Sequence, residues 1–85
     1  MAIAVGIRIR FFARLREQAA AETESIEVAK GSTLADVYAI LRGNHPALPE
    51  QVAVRAALNQ EFADWNTTVA AGDEVVFIPP VSGGF

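Results

Sequence analysis

Residues 3–12 read IAVGIRIRFF, and large apolar side chains occupy every odd position of this stretch. The even positions up to residue 10 are small or charged and include Arg8 and Arg10. Because successive side chains of a strand point to opposite faces of its sheet, this alternation predicts a β-strand with one buried and one open face. Phe12 follows in the phase of the arginines, so a regular strand directs its ring to the open face.

The strongest helix signal begins at residue 34. Apolar side chains recur there at the i, i+3, i+4 and i+7 spacing of one helix face, at Leu34, Val37, Tyr38 and Leu41. Thr33 and Asp36 match a weak capping box at the start, and Gly43 predicts the end. This apolar stripe is as wide as a helix lying on a sheet requires.

Shorter signals flank this helix on both sides. Residues 13–21 are rich in Ala, Arg, Glu and Gln, which predicts a short surface helix. Apolar segments between turn residues predict three further strands, at residues 24–28, 52–58 and 74–78. Polar residues 59–61 predict a turn, and residues 67–69 a short locally paired segment. The order β, β, α, β, β predicts an α+β domain in which one main helix packs on one face of a mixed sheet of four to five strands.

Length and charge restrict the classes of function. A chain of 85 residues has room for one small core, and enzyme clefts usually need elements beyond it, so a carrier, a binding module or a subunit is favoured. Seven basic residues against ten acidic ones give a net charge of −3 without a block of like charges, which disfavours a nucleic-acid partner. No apolar run could span a membrane and no signal peptide is evident, which favours the cytoplasm.

Metal and thiol chemistry are disfavoured as well. The sequence has no cysteine and one histidine, so it offers no disulfide, no thiol nucleophile and no thiolate or histidine cluster for a metal. No neighbour in the sequence would orient His45, which we expect to be a loop residue rather than an acid or base. Tyr38 and Trp65 are expected to be packing residues.

Three large apolar residues break the rule that the open face of such a sheet is polar. Phe12 shares the phase of the arginines, Ile78 has the opposite phase to the apolar residues before it, and Phe62 lies just past a polar turn. If the three meet on the open face, they form an apolar patch beside charged residues, as protein docking surfaces do. Scattered exposure, which is common, is the alternative.

The last segment of the sequence has no pattern of a packed element. Residues 79–84 read PPVSGG, and the two prolines hold the backbone extended and project it away from the sheet. A pair of glycines has no side chains and would fit a narrow channel in a partner. A frayed terminus is the alternative.

Three blocks of the sequence resemble the small, sulfur-carrying subunits of molybdopterin synthase, which are ubiquitin-like sulfur carriers of the MoaD/ThiS family. The blocks are FFARLRE at residues 11–17, ALNQ at residues 57–60 and GDEVVFIPPVSGG at residues 72–84. They follow the same order as in the family across almost the whole chain. The resemblance implies a β-grasp domain at residues 1–80 and a flexible diglycine tail at residues 81–85.

The resemblance also implies a mechanism in which the chain is a co-substrate without an active site of its own. An E1-like adenylyltransferase uses ATP to adenylate the terminal glycine, and a sulfur donor converts it to a thiocarboxylate. The tail then enters the synthase large subunit, within a heterotetramer, and gives sulfur to the pterin precursor of molybdopterin. The carrier itself binds no cofactor and no metal.

The family pattern assigns roles to nine residues. Gly84 would carry the acyl group, and Gly83, which has no side chain, would let the segment before Gly84 enter a narrow channel. The partner contacts would be Phe12, Phe62, Ile78, Pro79, Pro80, Val81 and Ser82. Arg16 and Glu17 match the family too, but a salt-bridged surface turn explains them equally well.

The sequence departs from the family at Phe85, because the working form of the family ends at the diglycine. Three explanations stay open: a C-terminal peptidase removes Phe85, the chain is a paralogue that binds partners without carrying sulfur, or Phe85 is itself activated. The role is also open to two alternatives. The sulfur could serve thiamine, cysteine or a siderophore, or the chain could be a ubiquitin-like interaction module or protein modifier.

Overall fold

The computed structural model describes residues 3–79, which form one mixed sheet with one main helix. The elements in chain order are β1 (Ala4–Phe11), α1 (Arg14–Ala19), β2 (Thr23–Ala29), α2 (Leu34–Asn44), β3 (Arg55–Leu58), β4 (Glu61–Ala63) and β5 (Glu74–Ile78). The strands lie in the order β2-β1-β5-β3-β4, with β1 and β5 parallel and the other neighbours antiparallel. This is the β-grasp arrangement, so the predicted fold class is confirmed.

The core lies between α2 and one face of the sheet. Phe77 on β5 is fully buried, and its ring centroid lies 4.8 Å from that of Tyr38 and 5.9 Å from that of Trp65. The Tyr38 hydroxyl donates a hydrogen bond to the Pro49 carbonyl oxygen at 2.7 Å. Burial raises the pKa of Tyr38, although the positive charge of Arg42 acts to lower it. The raised pKa keeps the hydroxyl protonated, so it remains a hydrogen-bond donor. Tyr38 and Trp65 are packing residues, as the sequence indicated.

Both ends of α2 can be compared with the prediction. The capping box is confirmed: the Asp36 amide donates to Thr33 Oγ1 at 3.2 Å, and the Thr33 amide donates to Asp36 Oδ2 at 3.0 Å. The predicted end at Gly43 is wrong, because the helix continues through Asn44 and stops at His45. The following residue is Pro46, and a residue before proline avoids the helical conformation.

The segment before β3 also differs from the prediction. A strand was expected from residue 52, but Gln51–Ala53 forms a 3₁₀ turn and the strand begins at Arg55. Amides of Ala53 and Val54 donate to carbonyls three residues earlier, at 2.9 and 3.0 Å, so the backbone there is curled rather than extended. Val52 is left 88% exposed.

The strand β4 was missed because Glu61 was assigned to the turn. The turn contains only Asn59 and Gln60, with φ of 51° and 75°, and Leu58 pairs directly with Glu61. Two consecutive positive φ values are typical of the two-residue turn that matches the twist of a hairpin. The segment at residues 67–69 does pair locally, through a bridge between Thr33 and Thr68.

No helix within the described range 3–79 is long and apolar enough to cross a membrane.

Asn59 joins the β3–β4 hairpin to the start of β5. Its side-chain oxygen accepts from the Glu74 amide at 3.0 Å, and its side-chain nitrogen donates to Asp73 Oδ1 at 3.1 Å. Asparagine also tolerates positive φ better than most residues. This side chain therefore adds two hydrogen bonds to the β3–β5 pairing that holds the hairpin of Phe62 to the centre of the sheet.

We predict that Asn59→Ala lowers the free energy of unfolding by about 2 kcal/mol, because two hydrogen bonds and a residue suited to positive φ are lost. Urea unfolding would measure the change. The matched control is Asn66→Ala, since Asn66 is an exposed loop residue whose replacement should change stability by less than about 0.5 kcal/mol. Equal effects of the two substitutions would contradict this role of Asn59.

Candidate partner-docking face

The face of the sheet opposite α2 is here called the open face, and four of its five strands place a continuous row of side chains on it. Register places Arg10 of β1 beside Val76 of β5, and Val76 beside Ala57 of β3. Ala57 in turn lies beside Phe62 of β4. These side chains share one face because paired residues of neighbouring strands point to the same side of a sheet.

The structure brings the three predicted apolar residues together on this face. Phe12, Phe62 and Ile78 line one depression of about 230 Å³. Phe12 is 44% exposed and Phe62 is 60% exposed, whereas Ile78 is half-buried. The alternative of scattered exposure is therefore wrong for these three, and their role as partner contacts stays a prediction.

The sequence reasoning missed the floor of the depression and its two flanking arginines. Val76 and Ala57 are largely buried between the larger side chains, with 8% and 7% exposed. The guanidinium carbon of Arg10 lies 5.6 Å from the centre of the Phe12 ring, and that of Arg55 lies 4.0 Å from the centre of the Phe62 ring. Strand phase could have revealed Val76, since it lies two residues before Ile78.

A strained turn holds Phe12 in place. The Phe12 amide donates to the Phe77 carbonyl oxygen at 3.2 Å, and the Phe12 carbonyl accepts from the Leu15 amide at 3.0 Å. Between them Ala13 has φ 52° and ψ −125°, the conformation of the first central residue of a type II′ turn, which favours glycine. Because Leu15 is fully buried, the turn fixes the position of the exposed ring relative to the core.

The chain leaves the sheet beside this face. Pro79 follows β5 directly and is half-buried. It contributes to a second cavity, of about 590 Å³, lined by residues of α1 and of the 3₁₀ turn before β3. The predicted contacts Pro80, Val81 and Ser82, the predicted carrier residues Gly83 and Gly84, and Phe85 lie outside the described residues.

The expectation that nothing orients His45 is wrong. His45 Nε2 lies 2.7 Å from Glu24 Oε1, and its ring meets Phe11 edge to face at 6.1 Å between centroids. Glu24 pairs in register with the buried Ile9, so this contact lies on the side of the sheet that α2 covers. The pair joins the end of α2 to β2 and is remote from the open face.

Arg16 forms a surface ion pair with Glu22 at 3.6 Å, and Glu17 is not its partner. Both side chains are more than half exposed, so the pair contributes little to stability. Among residues 3–79 no three His, Asp or Glu side chains are grouped as metal ligands would be. The depression on the open face is lined mainly by apolar side chains, with Arg10 and Glu74 as its charged residues.

The chain is similar to known proteins in both sequence and structure. A model described as the ThiS family matches residues 9–84. The molybdopterin synthase sulfur carrier subunit of Chlamydomonas reinhardtii is 37% identical over 81 residues, covering 92% of this chain and 98% of that protein. A crystal structure of small archaeal modifier protein 1 from Haloferax volcanii has a TM-score of 0.82 at 34% identity, covering 93% of this chain and 99% of that one.

A further solved structure is a complex. The protein–protein complex of subunits 1 and 2 of the molybdopterin-converting factor from Helicobacter pylori contains a chain that matches with a TM-score of 0.67 at 28% identity. The match covers 94% of this chain and 100% of the Helicobacter pylori chain.

We predict that Ala13→Gly stabilises the protein by about 1 kcal/mol, because relief of a strained positive φ outweighs the entropy that glycine gains in the unfolded chain. Thermal unfolding should then shift upward by about 4–8 °C. The control is Ala39→Gly on the exposed side of α2, where glycine should instead destabilise by about 1 kcal/mol. Destabilisation by both substitutions would show that Ala13 is not strained.

Proposed function

This chain belongs to the ThiS family, and on that premise we propose that it is a sulfur-carrier protein, the small subunit of a molybdopterin synthase. The observation that carries the proposal is the meeting of Phe12, Phe62 and Ile78 in one depression, beside the point where the chain leaves β5 toward its diglycine. The family match extends to Gly84, which agrees with a working form that ends there.

The chemistry begins at Gly84. Hydrolysis of the peptide bond between Gly84 and Phe85 by a peptidase would free the Gly84 carboxylate. The carboxylate attacks the α-phosphate of ATP on an adenylyltransferase, which forms an acyl adenylate and releases pyrophosphate. A sulfur donor then forms the C–S bond of the thiocarboxylate as the bond to AMP breaks. No cysteine in the carrier competes for the activated carbonyl.

Docking brings this sulfur to the acceptor. The open face binds the synthase large subunit through Phe12, Phe62 and Ile78, and Pro79 to Ser82 contact the partner along the route to its active site. Gly83 passes through the narrowest part because it has no side chain. The Helicobacter pylori structure, a complex of subunits 1 and 2 of the molybdopterin-converting factor, supports a partner of this kind.

We predict that Phe12→Arg weakens binding to the synthase large subunit by about 2 kcal/mol, roughly 30-fold, because a charge replaces an aromatic anchor. Isothermal titration calorimetry would measure the affinity. Val52→Arg is the matched control, since Val52 is an exposed apolar residue that does not line the depression. Both variants should keep the wild-type melting temperature. Equal affinities of the two variants would show that the open face is not the interface.

We predict that the protein isolated from its native cells lacks Phe85 and carries sulfur in place of one carboxylate oxygen. Intact-mass spectrometry would show both changes at once. Deletion of residues 84–85 should abolish sulfur transfer and leave thermal stability nearly unchanged. A chain that retains Phe85 during active cofactor synthesis would contradict the carrier role and favour the paralogue that only binds partners.

Protein modification is a second candidate function. It is favoured by the similarity to a Haloferax volcanii protein named as a modifier, with a TM-score of 0.82. The activated Gly84 carbonyl would then be attacked by a lysine amine of a target protein, with release of AMP and formation of an isopeptide bond. Mass spectrometry of lysine adducts in native cells separates this function from the carrier role, because thiocarboxylate transfer leaves no adduct.

A further inference from the structure

The open face carries an excess of arginine on a protein of net charge −3. Strand phase and register place three arginines and two glutamates there: Arg8, Arg10, Arg55, Glu27 and Glu74. The charges are not evenly distributed. Arg8 pairs in register with Glu74, whereas Arg10 and Arg55 lie beside the apolar residues Val76 and Ile78. Around the apolar depression at the carboxyl end of β5, the two arginines therefore outnumber the one glutamate that lines it, Glu74.

These two arginines form no salt bridge with a carboxylate of residues 3–79. The ion pairs found among residues 3–79 are Arg16 with Glu22 and His45 with Glu24, and neither includes Arg10 or Arg55. Two glutamates share surface pockets with Arg10: Glu22, whose carboxylate is 3.6 Å from Arg16, and Glu74, and neither forms a salt bridge with Arg10. The charge of both guanidinium groups is thus available to another molecule.

Both guanidinium groups are held by aromatic rings. Arg55 lies 4.0 Å from the centre of the Phe62 ring, and Arg10 lies 5.6 Å from that of Phe12. A guanidinium group beside an aromatic ring can still donate N–H groups to a carboxylate through two parallel hydrogen bonds. The aromatic contact also reduces the conformational freedom that each arginine would lose on binding.

The two arginines lie on opposite sides of the depression. Arg10 is on β1 and Arg55 is on β3, with β5 between them, and their register partners Val76 and Ile78 are two residues apart. Strand spacing and rise then place their Cα atoms about 12 Å apart. An apolar side chain entering between Phe12 and Phe62 would have one arginine on each side.

We propose that the surface docking on this face presents two carboxylates, one to Arg10 and one to Arg55, on either side of an apolar side chain that fills the depression. The identity of the partner, the synthase large subunit, rests on the function proposed above. Charge pairs at such positions increase the rate of association and select the correct partner. Screening by salt weakens them, so the complex itself is salt-sensitive.

Binding of wild type and four variants to the synthase large subunit tests this pairing. Arg10→Glu and Arg55→Glu should each weaken binding about tenfold or more, mainly by slowing association. Arg42→Glu on α2, away from the open face, makes the same change in net charge and should bind like wild type. Raising salt from about 0.1 M to about 1 M, which shortens the Debye length from about 10 Å to about 3 Å, should weaken wild type more than either open-face variant.

The fourth variant, Phe12→Arg, separates the two hypotheses. If wild type does not bind the large subunit, the proposed function fails and the pairing fails with it. If Phe12→Arg weakens binding but the two open-face arginine variants behave like Arg42→Glu, the docking role stands and the carboxylate pairing is wrong. Melting temperatures equal to wild type exclude unfolding as the cause of a loss.

Cross-linking identifies the carboxylates directly. Arg55→Lys places a primary amine on the open face, and a carbodiimide joins an amine to a contacting carboxylate with loss of water. Mass spectrometry of the complex should find this amine linked to an Asp or Glu of the large subunit. Arg42→Lys is the control and should give no such link. The absence of a link from position 55 in a complex that forms normally would overturn the pairing.

Discussion

One eleven-residue helix can cover only one face of a five-stranded sheet, and the rings of Phe77 and Tyr38, 4.8 Å apart, join helix and sheet in the core. The buried ring of Phe11 and the partly buried ring of Trp65 extend this contact, so the large apolar residues of the helix-facing side are used in the core. Burial of each such side chain stabilises the fold by about 1.5–3 kcal/mol. The opposite face has no element to cover it, and its apolar residues are available to another protein.

That division of the sheet fits the proposed role, in which a small chain takes part in chemistry without catalysing it. Polar side chains such as those of Asn59 and Thr33 form hydrogen bonds that position the backbone, so their polar atoms are already used within the fold. What is left exposed is an apolar depression flanked by two arginines. The reactive carbonyl would be supplied by the chain's own terminus and the catalytic groups by partners, which is consistent with a sequence that lacks cysteine.

The features that local pattern controls could be predicted, and those that depend on long-range pairing could not. The phase of β1 was enough to place Phe12 on the open face, and the capping box at Thr33 was evident from spacing alone. The contact of His45 with Glu24 joins residues 21 apart in the sequence, so only the fold reveals it. The burial of Val76 arises from register with two other strands. Likewise, the family resemblance singled out Phe12, Phe62 and Ile78 as expected partner contacts but not the arginines beside them.

The position of β5 has a mechanical consequence. This strand is hydrogen-bonded on both sides, parallel to β1 and antiparallel to β3, and the diglycine proposed to carry sulfur follows its carboxyl end in the sequence. A pull on the tail acts along the strand axis and loads both rows of hydrogen bonds in shear, so that they resist together instead of opening one after another. The force needed to withdraw the tail from a tight channel would therefore be transmitted to the whole sheet. The domain would then move as a rigid body instead of unfolding from its carboxyl end.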